Sequence, residues 1–225
     1  LIPDPTKPEF AVLRFGDRRV PRALRDIPAS TVTAPADIDA VTGCRRVIVV
    51  GSDADLAAVL TRLLRTDRLD VELAYLPRWR TAATRAYGLP TGWRAARLAR
   101  AGTAQRVPLI RDDGGHALVG AALWVGATEF DSGAPTASLH GEAVVDDTVL
   151  FDGEVTAIRV EPMRMQPGLR AAALSRRMRP TRWVSGRAAQ LGTPGAFVVR
   201  DDETVNRSMR RSTFYRHTTG WLAVR

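Results

Sequence analysis

Two rhythms of apolar residues divide the chain. In the front half, short continuous apolar runs alternate with stretches of helical period. RRVIVV (45–50) reads as a buried strand, rich in β-branched residues and bounded by polar ones. Gly51-Ser52-Asp53 makes the turn, and DLAAVLTRLL (55–64) follows as a helix with Leu56, Val59, Leu60, Leu63 and Leu64 on one face. VELAYLP (71–77) is a second apolar strand, closed by Pro77. TAATRAYG (81–88) has helical character and stops at Gly88, while TGWRAARLARAG (91–102) begins at a capping threonine and ends in Ala-Gly. Ahead of these, AVLRFG (11–16) reads as a strand and RRVPRALRDI (18–27) as a short helix with Pro21 in its first turn.

The rhythm changes near residue 110. RVPLIRDDGGHALVGAALWVG (106–126) gives strand, turn and strand, with Asp112-Asp113-Gly114-Gly115 as a hairpin turn. From there the chain is strand and turn, and LRAAALSRRMRP (169–180) is its one predicted helix. The fold class expected is therefore α/β plus β: an α/β domain over 1–110, then a predominantly antiparallel β-rich domain over 111–225. Alternation of side chains along strands sends Phe214 and Trp221 to the core.

Composition adds modest constraints. With 225 residues, 45% hydrophobic and 25% charged, the chain is an ordinary globular protein large enough to bury a core. No apolar run approaches the length of a membrane span, and LIPDPTKPEF lacks the apolar stretch of a signal peptide. Cys44 is the lone cysteine, so no internal disulfide forms; it reads as structural and suits a reducing cytoplasm. His116, His140 and His217 are scattered without ligand spacing, so no zinc site is expected. GxSxG, GxxxxGK[ST] and CxxC are all missing, which removes the usual hydrolase, P-loop and thioredoxin-like readings. The net charge is +9 and Lys7 is the only lysine. Such a balance favours anionic surfaces: acidic lipid headgroups, phosphorylated ligands or nucleic acid. Arg94, Arg97 and Arg100 recur at helical spacing beside Trp93, a pattern that suits an acidic bilayer as well as an ordinary solvent face. SRRMRPTRW (175–183) and NRSMRRSTFYRH (206–217) interleave arginine with Trp183, Phe214 and Tyr215, as a single-strand binder would.

Three features in order along the chain resemble the diacylglycerol-kinase and NAD-kinase superfamily. That family ends a strand in GGDGT before a helix; here VIVV is followed by GSDAD (51–55), which keeps the first glycine and the aspartate. The family's next strand runs through a proline and a GTGND loop into FARALGLP. Here LAYLP (73–77) leads to RWRT and then TRAYGLP, matching through Arg85, Gly88, Leu89 and Pro90, with Arg78, Trp79, Arg80 and Thr81 in place of the GTGND loop and one residue fewer. The hairpin of 106–126 resembles the family's next one, with Pro108 where an aspartate is expected. VVRDDE (198–203) resembles the strand that ends in the family's DGE motif, and FDGE (151–154) is an alternative match.

The resemblance implies that 1–110 is a Rossmann-like, nucleotide-binding-like domain. Gly51, Ser52, Asp53, Arg78 and Arg80 would be its cofactor-contacting residues, and Asp201 and Glu203 its catalytic or metal-binding carboxylates. Its cofactors would be ATP and magnesium, and its reaction phosphoryl transfer to a lipid hydroxyl. The departures matter chemically. Ser52 and Ala54 put side chains where a glycine backbone would approach phosphate, and Asp53 with Asp55 places two carboxylates at one helix start. Asp53 has a second reading as a simple helix cap. The sequence is thus expected to be a degenerate, catalytically impaired lipid-kinase-like protein that binds anionic lipid or a phosphorylated ligand. An active lipid kinase with rearranged contacts and a nucleic-acid-binding protein are the alternatives. A cytoplasmic, membrane-peripheral location and a homodimer through exposed strand edges complete the expectation.

Overall fold

A computed structural model of the chain describes residues 8–126, 138–205 and 207–225. It divides into two compact units, Leu1–Val107 with Thr219–Arg225, and Pro108–Thr218.

The first unit is built on a six-stranded sheet. Its elements are β1 (Phe10–Phe15), β2 (Ala29–Val32), α1 (Pro35–Asp39), β3 (Arg46–Val50), α2 (Asp53–Arg65), β4 (Glu72–Leu76), α3 (Ala82–Tyr87), α4 (Gly92–Ala101) and β5 (Ala104–Val107). The chain's last strand, Trp221–Val224, inserts between β4 and β5, so the order is β2-β1-β3-β4-last-β5, parallel except for β5. All five β3 residues are buried, as expected of a central parallel strand covered on both faces. On one face Val12, Ile48, Val50, Ala74 and Leu76 pack with Ala95, Ala96 and Ala99 of α4. Helix α2 buries Leu56, Val59, Leu60 and Leu63, each contributing about 1.5–3 kcal/mol over an exposed position. Only a single 3-10 turn, Arg22–Leu24, forms where a short helix is expected over 18–27; it buries Leu24 and goes no further.

A buried arginine locks the end of α4. Arg46, 2% exposed, donates to the carbonyls of Ala99 (2.9 Å), Arg100 (3.0 Å) and Gly102 (2.9 Å), and its Nε meets Glu72 at 2.6 Å. These are the last-turn carbonyls that a helix leaves without intrahelical partners, so one side chain caps α4 and ties it to β3 and β4.

The second unit is an antiparallel sheet with eleven strands among the described residues: β6 (Ile110–Asp112), β7 (Ala117–Leu118), β8 (Ala122–Gly126), β9 (Leu139–Val145), β10 (Thr148–Val155), β11 (Ala157–Pro162), β12 (Leu169–Leu174), β13 (Val184–Gly186), β14 (Ala188–Arg200), β15 (Glu203–Thr204) and β16 (Met209–Arg216). The last strand of the chain, in the first unit, is then β17. Buried Trp124 and Phe214 meet with ring centroids 5.7 Å apart, and the Trp124 Nε1 donates to Ser212 Oγ at 2.9 Å.

The predicted helix over 169–180 is a strand and a turn instead. Leu169–Leu174 pairs with both β11 and β13, and Leu169 and Ala171 point into the core. Three alanines make the segment a good helix former in isolation, but ladder pairing on both sides overrides propensity. The expected α/β-then-β architecture is the one observed. The final strand is what sequence rhythm did not place: β17 reads as β-region sequence yet belongs to the first sheet.

Candidate functional site

Strands β1, β3 and β4 run parallel, and from β1 the chain goes to β2 on one side while β3 continues to β4 on the other. The strand order therefore switches direction between β1 and β3. Open α/β sheets bind ligands at the carboxyl ends of the strands flanking such a point. Three connections leave this edge: Gly16-Asp17-Arg18 after β1, Gly51-Ser52 after β3, and Pro77–Thr81 after β4. Gly51, Ser52, Arg78 and Arg80 lie on the last two, and Asp53 is the first residue of α2.

The β3–α2 turn is closed by its own side chains. Ser52 Oγ accepts from the Asp55 N–H at 3.2 Å, and Asp55 reaches back to the Ser52 N–H at 2.6 Å, a reciprocal capping box. A Cβ on Gly51 would sit 2.7 Å from the Asp55 Cβ, so this glycine serves the capping carboxylate. The cap is Ser52, not Asp53.

Asp53 is occupied otherwise. It is buried, and its Oδ1 accepts from the Tyr75 hydroxyl at 2.7 Å while its Oδ2 accepts from the Ala83 N–H at 3.0 Å. One carboxylate thus ties the start of α2 to β4 and to the first turn of α3. Burial, followed by the Asp53 charge and hydrogen bond, pushes the Tyr75 phenol far above its ordinary range, while a Thr81 side-chain hydrogen bond and then the charge of Arg18 oppose this. The phenol therefore stays a donor. Tyr75 was missed by sequence reasoning; the only signal was one polar-tipped residue inside the apolar run LAYL.

The β4–α3 connection presents cations. Arg78, Trp79 and Arg80 are exposed; Trp79 is 71% exposed and the Arg78 guanidinium lies 5.3 Å from its ring centroid. Thr81 then caps α3 by accepting from the Thr84 N–H at 3.2 Å, and Gly88 ends it in the left-handed conformation, φ 65°. Tyr87 is buried edge-on against Trp221, centroids 5.1 Å apart. The well-matched TRAYGLP segment is therefore a helix end and a core contact.

In the second unit, Asp201 is buried at the β14–β15 turn, where Asp201 and Asp202 both have positive φ (47° and 69°). Its Oδ1 accepts from Gly120 (2.6 Å) and Ala121 (3.2 Å) and its Oδ2 from Val119 (3.1 Å). It pins the β7–β8 turn. Glu203 is exposed on β15. The alternative FDGE match lies in β10, opposite β9. Among the aromatics of the arginine-rich segments, Phe214 is buried, Trp183 lies under Arg170 (4.2 Å), and Tyr215 accepts from Arg111 at 2.7 Å. These rings are already engaged within the fold. Trp221 is buried, as its strand alternation implied.

A magnesium site finds poor support in this donor set. Both oxygens of Asp53 and of Asp201 accept hydrogen bonds, an Asp55 oxygen is held by Ser52, and among the described residues no three His, Cys, Asp or Glu side chains cluster to hold a metal.

No family model matches the sequence, and no curated protein does. Solved structures do. Two described as diacylglycerol kinases of Bacillus anthracis str. Sterne superpose over 96% of this chain and 96% of theirs, with TM-scores of 0.68 and 0.72 at 12% and 13% identity. The chain has the diacylglycerol kinase fold. An NAD kinase from Archaeoglobus fulgidus in complex with ATP shares it, with a TM-score of 0.63 at 11% identity over 96% of this chain and 93% of that one. The fold thus agrees with the resemblance carried by GSDAD and TRAYGLP. Among the described residues, no helix is long and apolar enough to cross a membrane.

Proposed function

We propose that this protein uses the diacylglycerol kinase fold for binding, with phosphoryl transfer impaired. Its ligand is anionic and phosphorylated, free or as a lipid headgroup, held at the strand-end edge of the first unit by Arg78 and Arg80. The observation that carries this reading is the engagement of Asp53: the aspartate that resembles the family's motif residue spends both oxygens on Tyr75 and Ala83. Asp53 and Asp55 also place two negative charges on the α2 N-terminus. That end of a helix ordinarily attracts phosphate, and here its own carboxylates neutralise and oppose it. Attraction for an anion passes to the next connection, where two guanidinium groups supply charge and planar donor forks.

Phosphoryl transfer requires a base near the accepting hydroxyl and a cation over the phosphates. The carboxylates named for these tasks, Asp201 and Glu203, are respectively a turn pin and an exposed strand residue. The competing reading, an ATP- and magnesium-dependent lipid kinase, draws on the fold, which an ATP-bound NAD kinase shares.

Thermal-shift titrations separate the two, because a ligand that binds the folded state raises Tm by mass action. Glycerol phosphate and inorganic phosphate are expected to stabilise wild type without magnesium, and Arg78→Gln/Arg80→Gln to lose the response. A shift that requires both ATP and magnesium would overturn the binding-module reading.

A further inference from the structure

Helix α4 is packed the wrong way round for an ordinary amphipathic helix. Its buried positions are the small ones, Ala95, Ala96 and Ala99, whereas its one aromatic side chain, Trp93, is 72% exposed. Burial of an indole in place of an alanine is a large apolar gain that this helix forgoes. Around Trp93 the outward face carries Arg94 and Arg97, and the Arg97 guanidinium lies 5.4 Å from the Trp93 ring centroid. Arg100, farther along, is paired with Asp26 at 2.6 Å. No acidic residue opposes this face from its own segment. From Leu73 to Arg111 the sequence has no Asp or Glu and eight arginines.

We propose that the outward face of α4 docks on an anionic lipid bilayer, with Trp93 at the level of the headgroups and Arg94 and Arg97 on lipid phosphates. The occupant follows from three properties of the face. A bilayer interface takes an amphipathic ring that a protein groove would have to enclose, and interfacial tryptophan flanked by arginine is the side-chain chemistry such a boundary favours. The charge of Arg94 and Arg97 is complementary to acidic lipid, and no carboxylate of the 73–111 segment offsets it. Base stacking on a single-stranded nucleic acid also uses aromatic rings, but it needs several in a row along a backbone-tracking groove; α4 offers one ring on a convex helix. This inference does not require the strand-end site to be occupied, and the two fail separately.

The test is sedimentation of the full chain with vesicles of phosphatidylcholine alone or mixed with phosphatidylglycerol, together with quenching of tryptophan fluorescence by brominated acyl chains. Wild type is expected to bind the acidic vesicles only, with quenching that Trp93→Phe reduces. Each arginine near such a surface contributes roughly fivefold in partitioning, so Arg94→Gln/Arg97→Gln is expected to lower binding roughly twenty- to thirtyfold. All three residues are exposed, so circular dichroism and Tm should match wild type and exclude misfolding as the cause. Equal binding to neutral vesicles would overturn the proposal. So would acidic-vesicle binding unchanged in the double variant, or tight salt-sensitive binding to an oligonucleotide without any brominated-lipid quenching. The phosphate response of Arg78 and Arg80 in the Trp93 variant reports on the strand-end site independently.

Discussion

Removing either partner of the Asp53–Tyr75 contact should destabilise the first unit, and the two losses should not add. Tyr75 is 2% exposed and Asp53 8%, and the phenol donates to the carboxylate at 2.7 Å. A hydrogen bond to a charged acceptor contributes about 1.5–3 kcal/mol, so Tyr75→Phe, which strands one carboxylate oxygen away from water, should cost about that much. Asp53→Ala removes the acceptor for two donors, the phenol and the Ala83 N–H, and should cost about 3–5 kcal/mol. Asp53→Asn keeps the shape: its carbonyl can accept from Ala83 while its amide donates to the phenol oxygen. The cost should fall to about 1–2 kcal/mol. Equilibrium urea unfolding of the singles and the double Tyr75→Phe/Asp53→Ala gives the coupling, expected at about 1–2 kcal/mol. Hydrogen exchange adds a local reading, because the Ala83 amide should lose protection in Asp53→Ala first. Unchanged or raised stability in the substitutions at 53 would contradict a stabilising Asp53–Tyr75 contact. A rise would mark a carboxylate held against repulsion for the sake of a ligand, the usual trade between function and stability.

Three further outcomes follow from side chains that the fold consumes. Arg46→Met should cost about 3–5 kcal/mol in urea unfolding, since it leaves Glu72 only the longer contact with Arg45 at 3.4 Å and takes the guanidinium donor from the carbonyls of Ala99, Arg100 and Gly102; Arg46→Lys should recover only part, because an ammonium cannot reproduce the fork. Asp201→Ala should lower the stability of the second unit by about 2–4 kcal/mol through loss of three backbone hydrogen bonds, and the amides of Val119, Gly120 and Ala121 should exchange faster. Asp37 accepts from the Thr33 and Ala34 N–H groups and the Thr33 hydroxyl, which together hold its carboxyl below the ordinary 3.8. A lowered folded pKa gives stability that is complete above 3.8 and lost as pH falls through the folded value. Asp37→Asn should flatten that part of the acid limb, read as the pH dependence of the urea midpoint, with little further change below it.

The parts of the fold that the sequence announced are those decided by local chemistry. β3 is β-branched and bounded by arginine and glycine, α2 has a five-residue apolar face behind Ser52, and both appear where the pattern puts them. What it concealed depends on partners distant along the chain. Arg46 looks like a strand-flanking surface charge until the carbonyls of Ala99 and Gly102 arrive beside it. LRAAAL prefers a helix by composition and becomes β12 because β11 and β13 offer ladders on both sides. WLAV returns to the first sheet because β4 has an open edge that a short apolar strand can cover.

The candidate site was legible in its positions and less so in its chemistry. Gly51, Ser52, Arg78 and Arg80 stand on the connections that follow β3 and β4, and Asp53 opens α2. That Asp53 meets Tyr75 rests on a contact between residues 22 apart along the chain, which no short window of sequence contains. Asp201 and Glu203 share a hairpin in the second unit, and only Asp201 is buried. The Asp-Asp pair with positive φ explains why this turn is acidic: short polar residues tolerate the left-handed region, and the first of them can reach neighbouring amides.

A radiolabel assay decides whether this diacylglycerol kinase fold binds with phosphoryl transfer impaired. Wild type is mixed with γ-labelled ATP, magnesium and diacylglycerol in detergent micelles, with Asp53→Asn and a protein-free sample alongside. No labelled lipid above the protein-free level is expected. Labelled phosphatidic acid that accumulates with time, requires magnesium and disappears in Asp53→Asn would contradict it.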